Sequence, residues 1–410
     1  MQSYKTYIES ANWRCEINIL NVSMIHRYLI ENGHKVINNP SEADYIIISS
    51  CGFTKNHEGT STNIYKKHHS KKQKKASIFM YGCIVKINPE LCESLDLTSV
   101  DFEEGEKFDK VFYNKVKFKD IKPYCDTNKL EKDFSNITDI QLSNSIPVIL
   151  TKFLLPFSKK LKKNYERILN DLVTKDKILI EVCRGCASNC NYCVIKKTRG
   201  HIKSRPVKDI MKDIEKHYDK TRELFFVADD LTVYGYDIKT NLDALLHAIN
   251  EKYPNILLNL DNLNPYWLEK YPEEFLSLFS KYNISYATIP VQSGSNKIIE
   301  DMNRNHDIKN TIDFVKKLKK ISPQTATYTH FIVGYPKEGF MDYIKTLICS
   351  LFFDHTIVFV YSAPKEIDQS SLSYYKQIMR KTYRSVFFRF MLNFVLVYKL
   401  LTIKEFKKIS

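Results

Sequence analysis

"KILIEVCRGCASNCNYC" (residues 177–193) is an apolar run that ends on four cysteines, Cys183, Cys186, Cys190 and Cys193, in a chain that has only ten in 410 residues. Continuous Ile/Leu/Val runs of this length mark a strand buried on both faces. The cysteines therefore occupy the loop that leaves the C-terminal end of a strand, where α/β enzymes place their chemistry. Two readings of the spacing compete. Cys186, Cys190 and Cys193, at Cys-x3-Cys-x2-Cys, can turn three thiolates toward one iron–sulfur centre with an iron left open. Alternatively, two Cys-x2-Cys pairs close a tetrahedral zinc site. Only residues 187–189 separate the pairs, against the roughly 12 to 20 residues usual in zinc modules, so that knuckle would be cramped.

Downstream, strand and helix signals alternate to about residue 365. Strands are expected at "KILIEVC", "ELFFVADD", "NILLNLDN", "YATIPVQS", "TYTHFIVGYP" and "HTIVFVYSA", with helices at "VKDIMKDIEKHYD", "NLDALLHAINEKY", "PEEFLSLFSKY" and "IKNTIDFVKKLKK" between them. Six such units suit a partial (β/α)6 barrel better than a closed eightfold one. Upstream, "YKTYIES", "ADYIIISSC" and "SIFMYGC" read as strands, and the helical run "INILNVSMIHRYLIENG" stops at Asn32-Gly33. The class is α/β. An N-terminal open parallel α/β domain (1–140) leads through a linker and helix (141–176) to the partial barrel (177–365) and a short C-terminal helical tail (366–410).

Sixty-two Lys and Arg against 47 Asp and Glu give a net charge of +15. That balance admits an anionic partner as readily as it admits lysine-rich faces that keep a protein soluble. Six lysines between Lys66 and Lys75 read first as a solvated helix face and second as a nucleic-acid patch. The N-terminal sequence "MQSYKTYIES" has no apolar signal region, so a cytoplasmic, reducing location is expected, and disulfides become the poorest account of the cluster. No transmembrane segment is expected. The longest apolar stretch, "VFFRFMLNFVLVYKLL", is interrupted by Arg389 and Lys399 and reads as a packed or interfacial helix.

The residues "GCASNCNYCVIKKTRGHIKSRP" resemble the signature of radical S-adenosylmethionine (SAM) methylthiotransferases, G-C-x3-C-x-Y-C followed by R-G-x3-S-R-P. Gly185, Cys186, Cys190, Tyr192, Cys193, Arg199, Gly200, Ser204, Arg205 and Pro206 fit it, and Cys183 falls outside it. The resemblance continues in "ADDLTVYGYD", with Ala228 and Asp229 in place of Gly and Gln, in "IPVQSGSNKIIEDMNR", and in "THFIVGYPKE", with Lys337 in place of Gly. Toward the N-terminus, "CEINILN", "ADYIIISSC" and "YGC" resemble the segments that carry a second cysteine trio, here Cys15, Cys51 and Cys83, although Arg14 and Asn21 depart from that pattern. Taken without the resemblance, those three cysteines read as small buried hydrophobes. Cys92, Cys125 and Cys349 read as structural.

The resemblance covers residues 4–365. It implies two [4Fe-4S] clusters and SAM as cofactors, with Cys186, Cys190 and Cys193 holding the SAM-binding cluster and Cys15, Cys51 and Cys83 an auxiliary one. It further implies one-electron cleavage of SAM to a radical and passage of a CH3S group to an unactivated C–H. Tyr192, Arg205, Asp229, Asp230, Gln292, Ser293 and Gly334 become candidate cofactor-binding residues. Four of them have a plainer reading: Asp229 and Asp230 as a turn or N-cap, Arg205 as a salt bridge, Gly334 as a turn. The family usually ends in a small β-barrel, the TRAM domain, and the aromatic tail after "VFVYSA" lacks its alternating strands. The expected partners are a peptide, protein or tRNA substrate and a one-electron reductant such as flavodoxin or ferredoxin, with the chain itself a monomer. Asp230 stands where the protein-modifying branch tends to carry Asp, which tilts the substrate toward a peptide or protein side chain; the +15 charge pulls toward tRNA. Two rivals stay open: another radical SAM C–H reaction with an auxiliary cluster, and a zinc-stabilised RNA-binding protein.

Overall fold

The structure, a computed structural model, describes residues 3–13, 15–71, 76–133 and 177–362. The expected linker from 141 and the helical tail from 366 lie outside the described residues. The described chain falls into two units: 3–133, 177–188 and 193–259 form the first, and 189–192 and 260–362 the second.

The first unit opens with strand β1 (Lys5–Ser10), helix α1 (Glu16–Glu31), the short strand β2 (Lys35–Val36), β3 (Tyr45–Ser50), α2 (Lys55–Lys71), β4 (Ser77–Gly82) and, further on, β5 (Thr98–Val100). They form a five-stranded sheet in the order β2-β1-β3-β4-β5, parallel throughout. Helix α1 stops where the sequence says it should. Asn32 takes the C-cap, and Gly33 follows at φ 80°, a conformation that glycine adopts without Cβ strain. The Ile46-Ile47-Ile48 run of β3 is wholly buried because the sheet is covered on both faces. One face packs Tyr7, Ile46, Ile48, Ile78 and Met80 against Tyr65 of α2. The other meets an aromatic cluster of Tyr28, Phe79, Tyr81, Phe108 and Phe118. Burying five such rings contributes several kcal/mol each of transfer free energy before chain entropy is charged against it.

The same unit continues through β6 (Tyr124–Asp126), α6 (Thr127–Asp133), β7 (Lys177–Glu181), the β8–β9 ribbon (Cys183–Arg184 with Lys203–Ser204) and β10 (Glu223–Val227). Strands β7 and β10 are parallel in direct register, Ile178 against Leu224 and Ile180 against Phe226. Strand β6 lies in "PYCDTNKLEKDFSNITDIQLSNSIP", which the sequence presents as polar connecting chain; it pairs antiparallel with β7, Cys125 against Leu179. Three residues are too few to show a period, so only the pairing reveals this strand.

After β11 (Leu258–Leu260), the second unit carries β12 (Ile284–Thr288), β13 (Ala326–Val333) and β14 (His355–Val360), parallel in the order β12-β13-β14. All six strands expected between 177 and 365 are present, as are the four helices expected between them, at Val207–His217, Leu242–Lys252, Pro272–Lys281 and Ile308–Ile321. The chain is thus an open parallel α/β domain followed by a partial radical SAM barrel.

Candidate metal and cofactor sites

In the first unit, Cys51 follows β3 by one residue, Cys83 follows β4 by one residue, and Cys15 is the N-cap of α1. Strands β1, β3 and β4 are parallel and in register (Ser10 against Ser49, Ser50 against Gly82), so all three cysteines stand at the sheet's C-terminal edge. They are close enough to feel one another. Burial pushes the Cys15 thiol up to about 12, with Cys51 and Cys83 adding to the rise, and burial followed by Cys83 pushes Cys51 upward. Buried thiols such as Cys15 and Cys51, which resist ionising, are poor free nucleophiles, and a cationic metal is the partner that relieves them. Helix α1 also directs its N-terminal partial positive charge at Cys15.

In the loop after β7, Gly185 (φ 85°) leads into Cys186, and a Cβ on it would stand 2.2 Å from the His201 carbonyl. The Cys186 amide donates to the Gly200 carbonyl at 3.3 Å. Gly185 therefore lets two backbone segments pass in close contact and fixes where Cys186 begins, while Gly200 serves a turn at φ 75°, a conformation that favours glycine.

Donor chemistry divides the cysteines. Asn12 Nδ2 donates to Cys51 Sγ (3.6 Å) and Arg199 Nη2 to Cys83 Sγ (3.6 Å). The Ser188 amide donates to Cys186 Sγ (3.4 Å), the Ile195 amide to Cys193 Sγ (3.5 Å), and Arg304 Nη1 to Cys190 Sγ (3.9 Å). Five of the six cysteines expected as ligands receive an N–H on sulfur, as thiolates bound to iron do. Cys186 also donates its thiol, to Asp230 Oδ2 at 3.9 Å, and Cys183 likewise acts as a donor. Its thiol donates to the Asp230 carbonyl at 3.6 Å, and burial, then Asp229 and Asp230, raise it well above the usual thiol range. Among the described residues no three His, Cys, Asp or Glu side chains gather as they would around a single ion. The chemistry of the donor set thus fits thiolate-held clusters.

The remaining candidates are held as follows. Asp229 Oδ2 accepts from the Gly185 amide at 2.8 Å, and its Oδ1 takes Arg199 Nη1. Asp230 caps the turn Leu231–Val233, its side chain accepting from the Thr232 amide, while its Oδ2 lies 3.9 Å from Cys186 Sγ. Arg205 donates to the Glu181 carbonyl at 2.7 Å and pairs with Asp213. In the second unit, the Tyr192 hydroxyl receives Arg304 Nη1 at 2.9 Å, and its ring packs on Ile298, Met302, Ile332, Tyr335 and Tyr361. Gln292 sits just past β12 at φ 74°, a strained conformation for a non-glycine residue that is fixed by two backbone bonds to β13: its amide donates to the His330 carbonyl, and its carbonyl accepts the Ile332 amide. Ser293 Oγ meets Thr346 Oγ1 at 3.3 Å. Gly334 (φ 75°) donates its amide to Glu338 at 2.6 Å. Sequence reasoning passed over Asn12, Arg199 and Arg304 as sulfur donors. Arg199 and Arg304 stand inside the quoted motifs and were open to that reading; nothing in the sequence singles out Asn12.

The Radical SAM superfamily model matches residues 180–347, and a second model, described as uncharacterized protein family UPF0004, matches residues 5–101. A tRNA-2-methylthio-N(6)-dimethylallyladenosine synthase from Petrotoga mobilis is 27% identical over 405 residues, covering 92% of this chain and 83% of that protein. A ribosomal protein uS12 methylthiotransferase RimO from Thermosipho melanesiensis is 28% identical over 368 residues, covering 88% and 76%. Among solved structures, the radical SAM methyltransferase TsrM from Kitasatospora setae superposes with a TM-score of 0.53 at 11% identity, covering 88% of this chain and 75% of that one. The cobalamin-dependent SAM radical enzyme OxsB superposes at 0.51 and 12% identity, covering 94% and 56%; at such identities both show the fold alone. The two family models, and both kinds of methylthiotransferase matching along most of its length, support a radical SAM methylthiotransferase, an enzyme type that uses S-adenosylmethionine and [4Fe-4S] clusters.

Proposed function

We propose that this enzyme transfers a methylthio group to an unactivated C–H of a polypeptide side chain. Cys186, Cys190 and Cys193 hold the SAM-binding cluster, and Cys15, Cys51 and Cys83 an auxiliary one. The observation that carries the two-cluster reading is the set of N–H donors aimed at Cys51, Cys83, Cys186, Cys190 and Cys193. When bound, SAM and the clusters supply the radical that removes the hydrogen and the sulfur and methyl of the transferred group.

The chain's own residues orient and shield. Gly185 and Gly200 set the loop backbone, the Ser188 and Ile195 amides stabilise thiolate on Cys186 and Cys193, and Arg304 braces Cys190 and Tyr192 together. Asp230 accepts from the Cys186 thiol at 3.9 Å, and a fixed buried anion there disfavours a neighbouring polynucleotide phosphate. The +15 charge and the relative that acts on tRNA support the second reading, an adenosine in tRNA. Among the described residues no helix is long and apolar enough to cross a membrane, and we take the enzyme to be a cytoplasmic monomer fed by a flavodoxin- or ferredoxin-type reductant.

Anaerobically reconstituted enzyme, incubated with SAM, reductant and either ribosomal proteins or tRNA, decides the substrate. A gain of about 46 Da on a peptide, with S-adenosylhomocysteine and 5′-deoxyadenosine both formed, is expected. The same gain on a nucleoside would replace the polypeptide reading. Absence of adenosylhomocysteine would overturn methylthio transfer itself.

A further inference from the structure

Arg199 and Asp229 are the most deeply buried ion pair near either cysteine trio, with side chains 9% and 3% exposed. Each member has two jobs. Arg199 gives Nη1 to Asp229 and Nη2 to Cys83 Sγ at 3.6 Å. Asp229 takes that guanidinium on Oδ1 and the amide of Gly185 on Oδ2 at 2.8 Å. A continuous path therefore runs from the Cys83 sulfur through guanidinium and carboxylate to the backbone that leads into Cys186. The Phe102 ring covers Arg199 at 5.8 Å.

We propose that Arg199 and Asp229 are positioning residues that set the charge at Cys83, and with it the reduction potential of the auxiliary cluster, while tying that cysteine to the Gly185–Cys186 step. This rests on assigning Cys15, Cys51 and Cys83 to an auxiliary cluster. In a poorly solvated site a bare guanidinium stabilises the more negative, reduced state of a cluster held through the neighbouring sulfur. The Asp229 carboxylate offsets most of that charge, so the auxiliary cluster is held at a lower potential than the cation alone would give. The Gly185 bond fixes the carboxylate without spending the oxygen that Arg199 needs.

The test is an EPR-monitored redox titration of the full-length reconstituted enzyme, with the auxiliary wave identified as the one lost in Cys83→Ala. Asp229→Asn keeps an acceptor but removes the charge, and is expected to move that wave to higher potential while the other wave stays. Arg199→Met removes both cation and donor and is expected to move it lower. Opposite shifts support the pair. Shifts of the same sign, or none in variants that retain full iron, would overturn it. If Asp229→Asn fails to load the auxiliary cluster, Asp229→Glu decides: recovery of iron and of the wild-type wave supports the pair, and failure of both overturns it. About four rather than about eight irons in the wild type would instead remove the auxiliary cluster on which the proposal stands.

Discussion

The thiol of Cys183 donates to the main-chain carbonyl of Asp230 at 3.6 Å, from a position with no solvent exposure at all. A fully buried cysteine outside the motif spacing reads as a packed hydrophobe. Cys183→Ser is therefore expected to retain all bound iron, whereas Cys190→Ser is expected to lose about four irons per chain. Iron and sulfide analysis with the visible spectrum distinguishes them, and equal losses from both would refute the division.

Gly294 packs its Cα against the helix Phe340–Ser350, and a Cβ there would stand 2.3 Å from the Lys345 carbonyl. Backbone cannot yield as a side-chain tip can. Gly294→Ala is expected to cost roughly 2–3 kcal/mol, seen as a lower midpoint in urea unfolding. Gly59, inside helix α2 with nothing within 4 Å of its virtual Cβ, is the control. Gly59→Ala should stabilise by about 0.5–1 kcal/mol through chain entropy.

Arg205 joins the Glu181 carbonyl and Asp213, both largely buried, while the Tyr234 hydroxyl holds the Arg205 carbonyl at 2.8 Å. Arg205→Met leaves Asp213 without its cation and is expected to cost about 3 kcal/mol. The double variant Arg205→Met/Asp213→Leu should recover a third or more of that loss, because it removes the stranded charge as well. Thermal or urea unfolding of these two variants and of Asp213→Leu closes the cycle; strict additivity would show that the pair does not interact.

Burial, with Arg304 beside it, holds His306 down to about 3, and burial alone holds His330 down to about 4. Both stay neutral in the folded chain while their unfolded counterparts take a proton near pH 6.5. Stability is full above about pH 7.5 and falls as the pH drops through 6.5 toward 4, by roughly 1 kcal/mol for each histidine at pH 5.5. His330→Phe should flatten this acid loss; an unchanged slope in unfolding midpoints between pH 7.5 and 5.5 would contradict the assignment.

Much of the architecture is legible in the sequence because parallel strands buried on both faces leave long apolar runs. The Ile46–Ile48 and Ile178–Ile180 segments announce themselves, and so do the amphipathic helices that follow. The three-residue strand Tyr124–Asp126 does not, since pairing with β7 rather than any periodicity makes it a strand. Cys186, Cys190 and Cys193 were likewise visible as spacing, and Cys15, Cys51 and Cys83 as strand ends within a family resemblance. Their hydrogen-bond donors were not, because Arg199 and Cys83 are 116 positions apart and Arg304 and Cys190 are 114 apart.

The sequence by itself determined the α/β class, the succession of strands and the resemblance to radical SAM methylthiotransferases, all of which rest on local pattern. Only the tertiary structure decided what each polar side chain does with its atoms. It commits Asp229 to Arg199 and Gly185, turns Asp230 into a cap, and gives Arg205 to Asp213. Hydrogen-bond partners are chosen by distance in three dimensions, and burial makes each choice binding, because an unpaired charge inside the fold costs more than any alternative use of the residue offers.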